Sequence, residues 1–169
     1  MISKVKKLTV KYNGETVGYL ADLDDGIAFQ YDEKWVKNGF SISPLSLPLS
    51  NKIYRSSKAT FGGLYGVLHD SLPDGWGELL VRRMLAKQGI NADRLSPLTK
   101  LTLISGSGLG ALTYEPTQIA DDETDNFDLD FIASEAEKIL DDETDNVNLD
   151  EIYRLGGSSG GARPKAHVK

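Results

Sequence analysis

The residues of this 169-residue chain best suited to chemistry lie near its end, in the run Gly156-Gly157-Ser158-Ser159-Gly160-Gly161-Ala162-Arg163-Pro164-Lys165. Glycines let backbone amides come close to a phosphate, while Arg163 and Lys165 add positive charge and Ser158 and Ser159 add hydroxyls. The interval from Gly156 to Gly161 has Walker spacing, but Ala162-Arg163 stands where Lys-Ser/Thr should follow. The run is therefore not a Walker loop. Its composition suits a phosphate cradle and a flexible linker equally well. An earlier stretch, Gly106-Ser107-Gly108-Leu109-Gly110, follows an expected helix and precedes an expected strand. A dinucleotide fingerprint needs the opposite order, so this stretch reads as a turn.

Other chemistries find little support. Cysteine is absent, which excludes disulfides, thiol nucleophiles and thiolate metal sites. The two histidines, His69 and His167, fit neither a Ser-His-Asp arrangement nor a metal-ligand spacing, and His69 is expected to play a structural, helix-end role. No general acid/base pair can be nominated. The hexapeptide Asp-Asp-Glu-Thr-Asp-Asn occurs at 121–126 and again at 141–146. Neither copy has the central glycine or terminal glutamate of an EF-hand, so both read as solvated linker rather than metal site.

The elements that must position the glycine-rich run follow from apolar spacing. Leu8 to Tyr12, the turn Asn13-Gly14 and then Val17, Tyr19 and Leu20 predict a tight hairpin, with a third strand at Ile27 to Tyr31 and Trp35 soon after. Pro44 and Pro48 exclude a helix interior and suggest an extended edge between Phe40 and Arg55. Gly63 to His69 is compatible with one short helix. Gly75 to Gln88 predicts a longer one, with Trp76, Leu79, Leu80 and Met84 on one stripe, cations near its carboxyl end and Gly89 as its stop. Leu72-Pro73-Asp74-Gly75 reads as the connector before it. Ser96-Pro97 predicts the start of a helix carrying Leu98, Leu101 and Ile104, and Leu109 to Tyr114 a return strand.

With 40% hydrophobic and 26% charged residues the chain can bury a core, and no run approaches the length of a membrane span. The net charge of −6 is unevenly spread. Residues 1–115 carry 14 Lys and Arg against 11 Asp and Glu, residues 116–155 carry 2 against 14, and residues 156–169 carry 3 against none. The expected organisation is an α+β unit over 1–115, consisting of a small antiparallel sheet with packed helices. An acidic connector with a helix at Leu129 to Leu140 follows over 116–155, and then the glycine-rich segment over 156–169. The acidic connector would repel a phosphate backbone, so direct nucleic-acid binding through this chain is not expected. A cytoplasmic location is the default expectation.

Four stretches in order resemble HipA-like serine/threonine kinase toxins of bacterial type II toxin–antitoxin systems. They are Leu45-Ser46-Leu47-Pro48-Leu49, Phe61 through Leu72-Pro73-Asp74-Gly75, Gly108-Leu109-Gly110-Ala111-Leu112-Thr113-Tyr114-Glu115-Pro116, and Gly160-Gly161-Ala162-Arg163-Pro164-Lys165. The resemblance implies an amino-terminal β-rich subdomain followed by the start of a kinase-like lobe. It makes Gly160, Gly161, Ala162, Arg163 and Lys165 the loop over ATP phosphates, and Ser158 a regulatory phosphoacceptor, with Ser159 the alternative if the register shifts by one. ATP and Mg²⁺ would serve the complete kinase, with no tight binding expected of this chain alone. The implied partners are a HipB-like DNA-binding antitoxin, the catalytic kinase lobe, or both. No catalytic or metal-binding aspartate of that lobe falls within the chain, so an inactive amino-terminal part is expected. The alternative is a stand-alone, antitoxin-like subunit that docks on a separate HipA-like kinase and restrains it.

Overall fold

Alternation of apolar and polar residues in the first third of the chain produces a sheet, and 3.6-residue spacing afterwards produces helices. The computed structural model describes residues 2–56, 60–103, 110–118, 129–141, 147–153, 156, 161, 163 and 164, with the backbone alone for 129–133. In chain order the elements are β1 (Lys7–Tyr12), β2 (Glu15–Leu23), β3 (Gly26–Tyr31), α1 (Glu33–Asn38), β4 (Ile53–Arg55), α2 (Gly66–His69), α3 (Gly75–Lys87), α4 (Pro97–Leu101), β5 (Leu112–Glu115), α5 (Leu129–Leu140) and α6 (Leu149–Ile152). Single 3₁₀ turns lie at Phe61–Gly63 and Ala92–Arg94. The protein is α+β.

These elements group into two compact units, Met1–Leu72 with Leu95–Ala120, and Pro73–Arg94 with Asp121–Lys169. The grouping cuts across a division by composition, because α3 lies inside the mildly basic region yet belongs with the acidic segment and the glycine-rich run.

The first unit is a fully antiparallel sheet of order β4-β3-β2-β1-β5 with α1, α2 and α4. Asn13 and Gly14 both have positive φ (48° and 81°), the backbone state that a two-residue hairpin with the native twist requires. Farther along the hairpin Val10 pairs with Gly18 but Lys11 with Thr16, leaving Val17 as a bulge. The extra residue shifts the alternation, so Val17 and Leu20, three apart, are both buried. Leu8, Val10, Ile27, Phe29 and Tyr31 join them in one core with Leu47, Leu64, Leu68, Leu98, Leu101 and Tyr114. Each fully buried aliphatic side chain contributes about 1.5–3 kcal/mol relative to exposure.

Polar groups at the edge of this core tie its loops down. The Tyr31 hydroxyl donates to the Leu47 carbonyl at 2.7 Å and accepts from the Ile42 amide at 3.1 Å. Asp32 caps α1 by accepting from the Lys34 amide at 2.8 Å, and Ser96 caps α4 by accepting from the Thr99 amide at 3.2 Å with Pro97 in the first turn. Two local expectations change. The proline-containing run turns back on itself through a Ser43–Leu47 bridge, so the edge strand is only Ile53–Arg55. A continuous helix from Gly63 to His69 does not form, because Gly63 has positive φ and Leu64 and Tyr65 are extended, and α2 starts only at Gly66.

In the second unit α3 buries Trp76, Leu80 and Met84 at four-residue intervals, together with Leu85. It packs against α6, which buries Leu149 and Ile152, and α6 packs against α5, which buries Ala136 and Ile139. The α3 carboxyl end closes with Gly89 at φ 72° and an Ile90 amide donating to the Leu85 carbonyl at 2.8 Å, a Schellman arrangement. Lys87 then donates to the Val147 carbonyl at 3.0 Å, and Asn148 caps α6 by accepting from the Glu151 amide at 3.3 Å.

Candidate functional site

Gly161, within the glycine-rich run, meets α3 at the amino terminus of that helix. A helix start leaves several backbone amides without intrahelical acceptors. Asp74 occupies the N-cap position with extended backbone, but its side chain makes no capping bond to α3. Its carboxylate Oδ1 instead accepts from the Gly161 amide at 3.0 Å. The Trp76 amide, one of the orphan donors of the first turn, donates to the Gly161 carbonyl at 2.8 Å. Gly161 is thereby held at both its N–H and its C=O.

Two backbone conformations permit this exchange. Gly75 has φ 47° and Gly161 has φ 109°, both in the region that side chains with a Cβ rarely enter. The carboxylate and the carbonyl both face the positive end of the helix dipole, which favours each of them. Farther along α3, Arg82 donates to Asp93 through Nη1 and Nη2, at 3.0 and 2.7 Å, and to Glu78 through Nε and the same Nη2, at 3.1 and 3.0 Å. These hydrogen bonds, led by those to Asp93 and then Glu78, raise the guanidinium pKa further. The cluster fixes the exposed flank of the helix whose first turn carries the site.

Of the sequence-derived loop residues, Gly161 sits in this clamp and Arg163 is exposed to solvent. Gly160, Ala162, Lys165, Ser158 and Ser159 lie outside the described residues. His69 ends α2, its ring 4.7 Å from that of Phe61, as suits a helix-end residue. Sequence reasoning gave Asp74 only a connector role and did not single out the Trp76 amide. The one local signal was an aspartate directly before a glycine at a helix start; its partner lies 87 residues away, where no periodicity points.

Among the described residues no group of three or more His, Asp or Glu side chains could hold a metal ion. No helix among them is long and apolar enough to cross a membrane. Around Gly161 the described groups are the Asp74 carboxylate and the Trp76 amide, an arrangement that holds and positions backbone.

Among curated proteins no sequence matches the chain. The family model of the HipA N-terminal domain matches residues 8–115, from the second residue of β1 to the end of β5. That span is more than half of the sequence and reaches all five strands of the sheet as well as α3, so the chain belongs to the HipA N-terminal domain family.

Proposed function

We propose that the chain is the amino-terminal part of a HipA-like serine/threonine kinase toxin and that it contributes the glycine-rich loop to an ATP site completed by a catalytic lobe. The observation that carries this reading is the order of features: the HipA N-terminal domain over 8–115, then Gly160-Gly161-Ala162-Arg163-Pro164-Lys165 downstream of it. In that reading Gly160, Gly161 and Ala162 offer amides to ATP phosphates, with Arg163 and Lys165 adding charge. Mg²⁺ and the acidic residues that bind it belong to the other lobe. The setting is a toxin–antitoxin system, with a HipB-like antitoxin as partner, in the cytoplasm.

Ser158 is the phosphoacceptor. No histidine or carboxylate stands between Gly156 and Lys165 to activate its hydroxyl, so the base comes from the catalytic lobe. Phosphate there would place about −1.5 to −2 charge beside Arg163 and Lys165, in competition with ATP for the same donors. The 169 residues by themselves are proposed to transfer no phosphoryl group.

The test mixes the chain with a polypeptide supplying the kinase lobe, ATP and magnesium. Mass spectrometry should find phosphate on Ser158, lost in Ser158→Ala and kept in Ser159→Ala. Phosphate on Ser159 instead moves the register by one. Labelling of the chain with no second polypeptide present contradicts the reading. Because the family match is to the amino-terminal domain alone, the second reading is a separate subunit that restrains a HipA-like kinase. Under that reading adding the chain lowers the activity of an otherwise complete kinase and leaves Ser158 unmodified.

A further inference from the structure

We infer that Asp74 is a positioning residue for the glycine-rich loop, its carboxylate and the Trp76 amide together clamping Gly161. An aspartate at an N-cap ordinarily accepts from the first-turn amides of its own helix, and Asp74 makes no such bond. It accepts from Gly161 instead, while the Trp76 amide takes its acceptor from Gly161. Helix end and loop thus satisfy each other's backbone groups through one residue. That residue stands at φ 109°, so the clamp also depends on its being glycine.

The clamp has a consequence for anion binding. A single N–H cannot serve the Asp74 carboxylate and a phosphate oxygen together, and a carboxylate at 3.0 Å repels an approaching anion. With its amide bonded to Asp74, Gly161 is in a phosphate-free state, and a phosphate reaches that amide only when Asp74 lets go. This consequence rests on the proposed role of the loop; the clamp itself does not.

The test is amide hydrogen exchange by NMR on the nitrogen-labelled full chain, comparing the unsubstituted protein with Asp74→Asn and Asp74→Ala. Loss of a charge-assisted hydrogen bond should speed exchange at Gly161 and Trp76 about tenfold or more in Asp74→Ala. Exchange at Val10, Leu20 and Phe29 should stay unchanged. Asp74→Asn keeps an acceptor oxygen and should remain within about threefold of the parent. Gly161→Ala, which strains the same contact from the other side, should release the Trp76 amide as Asp74→Ala does. Unchanged exchange at Gly161 in Asp74→Ala, or Asp74→Asn exchanging as fast as Asp74→Ala, overturns the clamp. Inorganic tripolyphosphate should shift the Gly161 resonance at about tenfold lower concentration in Asp74→Ala than in the parent. Equal sensitivity of the two overturns the phosphate-free assignment. No shift in either chain, with exchange behaving as expected, leaves the clamp standing and counts against the loop's proposed role.

Discussion

The sheet unit and the α3 unit use the same kinds of residue for different ends. In the first, the long-range polar contacts of Tyr31, Ser71 and Gln118 fasten loops and the amino-terminal segment at Ser3 around a continuous apolar core. In the second, a helix start leaves its own capping aspartate unused for capping and takes a loop glycine as partner. A cap within its own helix stabilises local structure only; a cap exchanged with a distant segment makes the position of that segment depend on the helix. The family match spans both, so the domain shared across the family includes the sheet and also the helix that meets the glycine-rich run.

Cavities in the two cores have the largest expected effect. Phe29 in the sheet core and Leu80 on α3 are both fully buried. Phe29→Ala should cost about 3–5 kcal/mol and Leu80→Ala about 2–5 kcal/mol, measured by denaturant unfolding. A cost under about 1 kcal/mol at Leu80 would show that the α3 unit is held by its polar contacts rather than by packing.

Alkaline pH probes both units at once. Burial pushes Tyr114 in the sheet unit up to about 12, with the Ser71 hydroxyl pulling the other way, and burial pushes Tyr153 beside α6 up to about 12. The neutral phenol is the favoured folded form, so its stabilisation is complete below the unfolded value of about 10 and is lost as pH rises through about 12. Unfolding midpoints should fall across that window, and Tyr114→Phe together with Tyr153→Phe should flatten the fall. An equally steep fall in the double variant would assign the effect to other groups.

Smaller effects separate a used cap from a surface ion pair. Asp32→Ala removes the α1 cap and should cost about 1 kcal/mol by thermal or chemical denaturation. The Asp32 pKa is lowered, first by the Lys34 amide, so this contribution is present above the unfolded value of 3.8 and is lost as pH falls through the lower folded one. The gap between parent and Asp32→Ala should therefore close in strong acid. Glu78→Gln, which weakens one arm of the exposed Arg82 cluster, should cost only about 0.3–0.5 kcal/mol, reduced further by salt.

Much of this protein was legible without coordinates wherever the deciding interaction is short in sequence. Asn13-Gly14 specified the hairpin because both residues tolerate positive φ, and Ser96-Pro97 specified the start of α4 because cap and first-turn proline act within three residues. The stripe of Trp76, Leu79, Leu80 and Met84 specified α3, with Leu79 only half-buried, and Gly89 its end. Resemblance across ordered motifs was enough for the family. Tertiary structure alone decided three things: that Val17 bulges, that Gly63 at positive φ and the extended Leu64 and Tyr65 delay α2, and that α3 belongs to the same unit as the glycine-rich run. It alone assigned Asp74 to Gly161. An N-cap aspartate and a glycine in a loop each have many acceptable partners, and neither residue's neighbours distinguish them. The choice is made when packing brings a helix's unsatisfied amides and a loop's free backbone groups together, where leaving both unpaired would cost more than exchanging them.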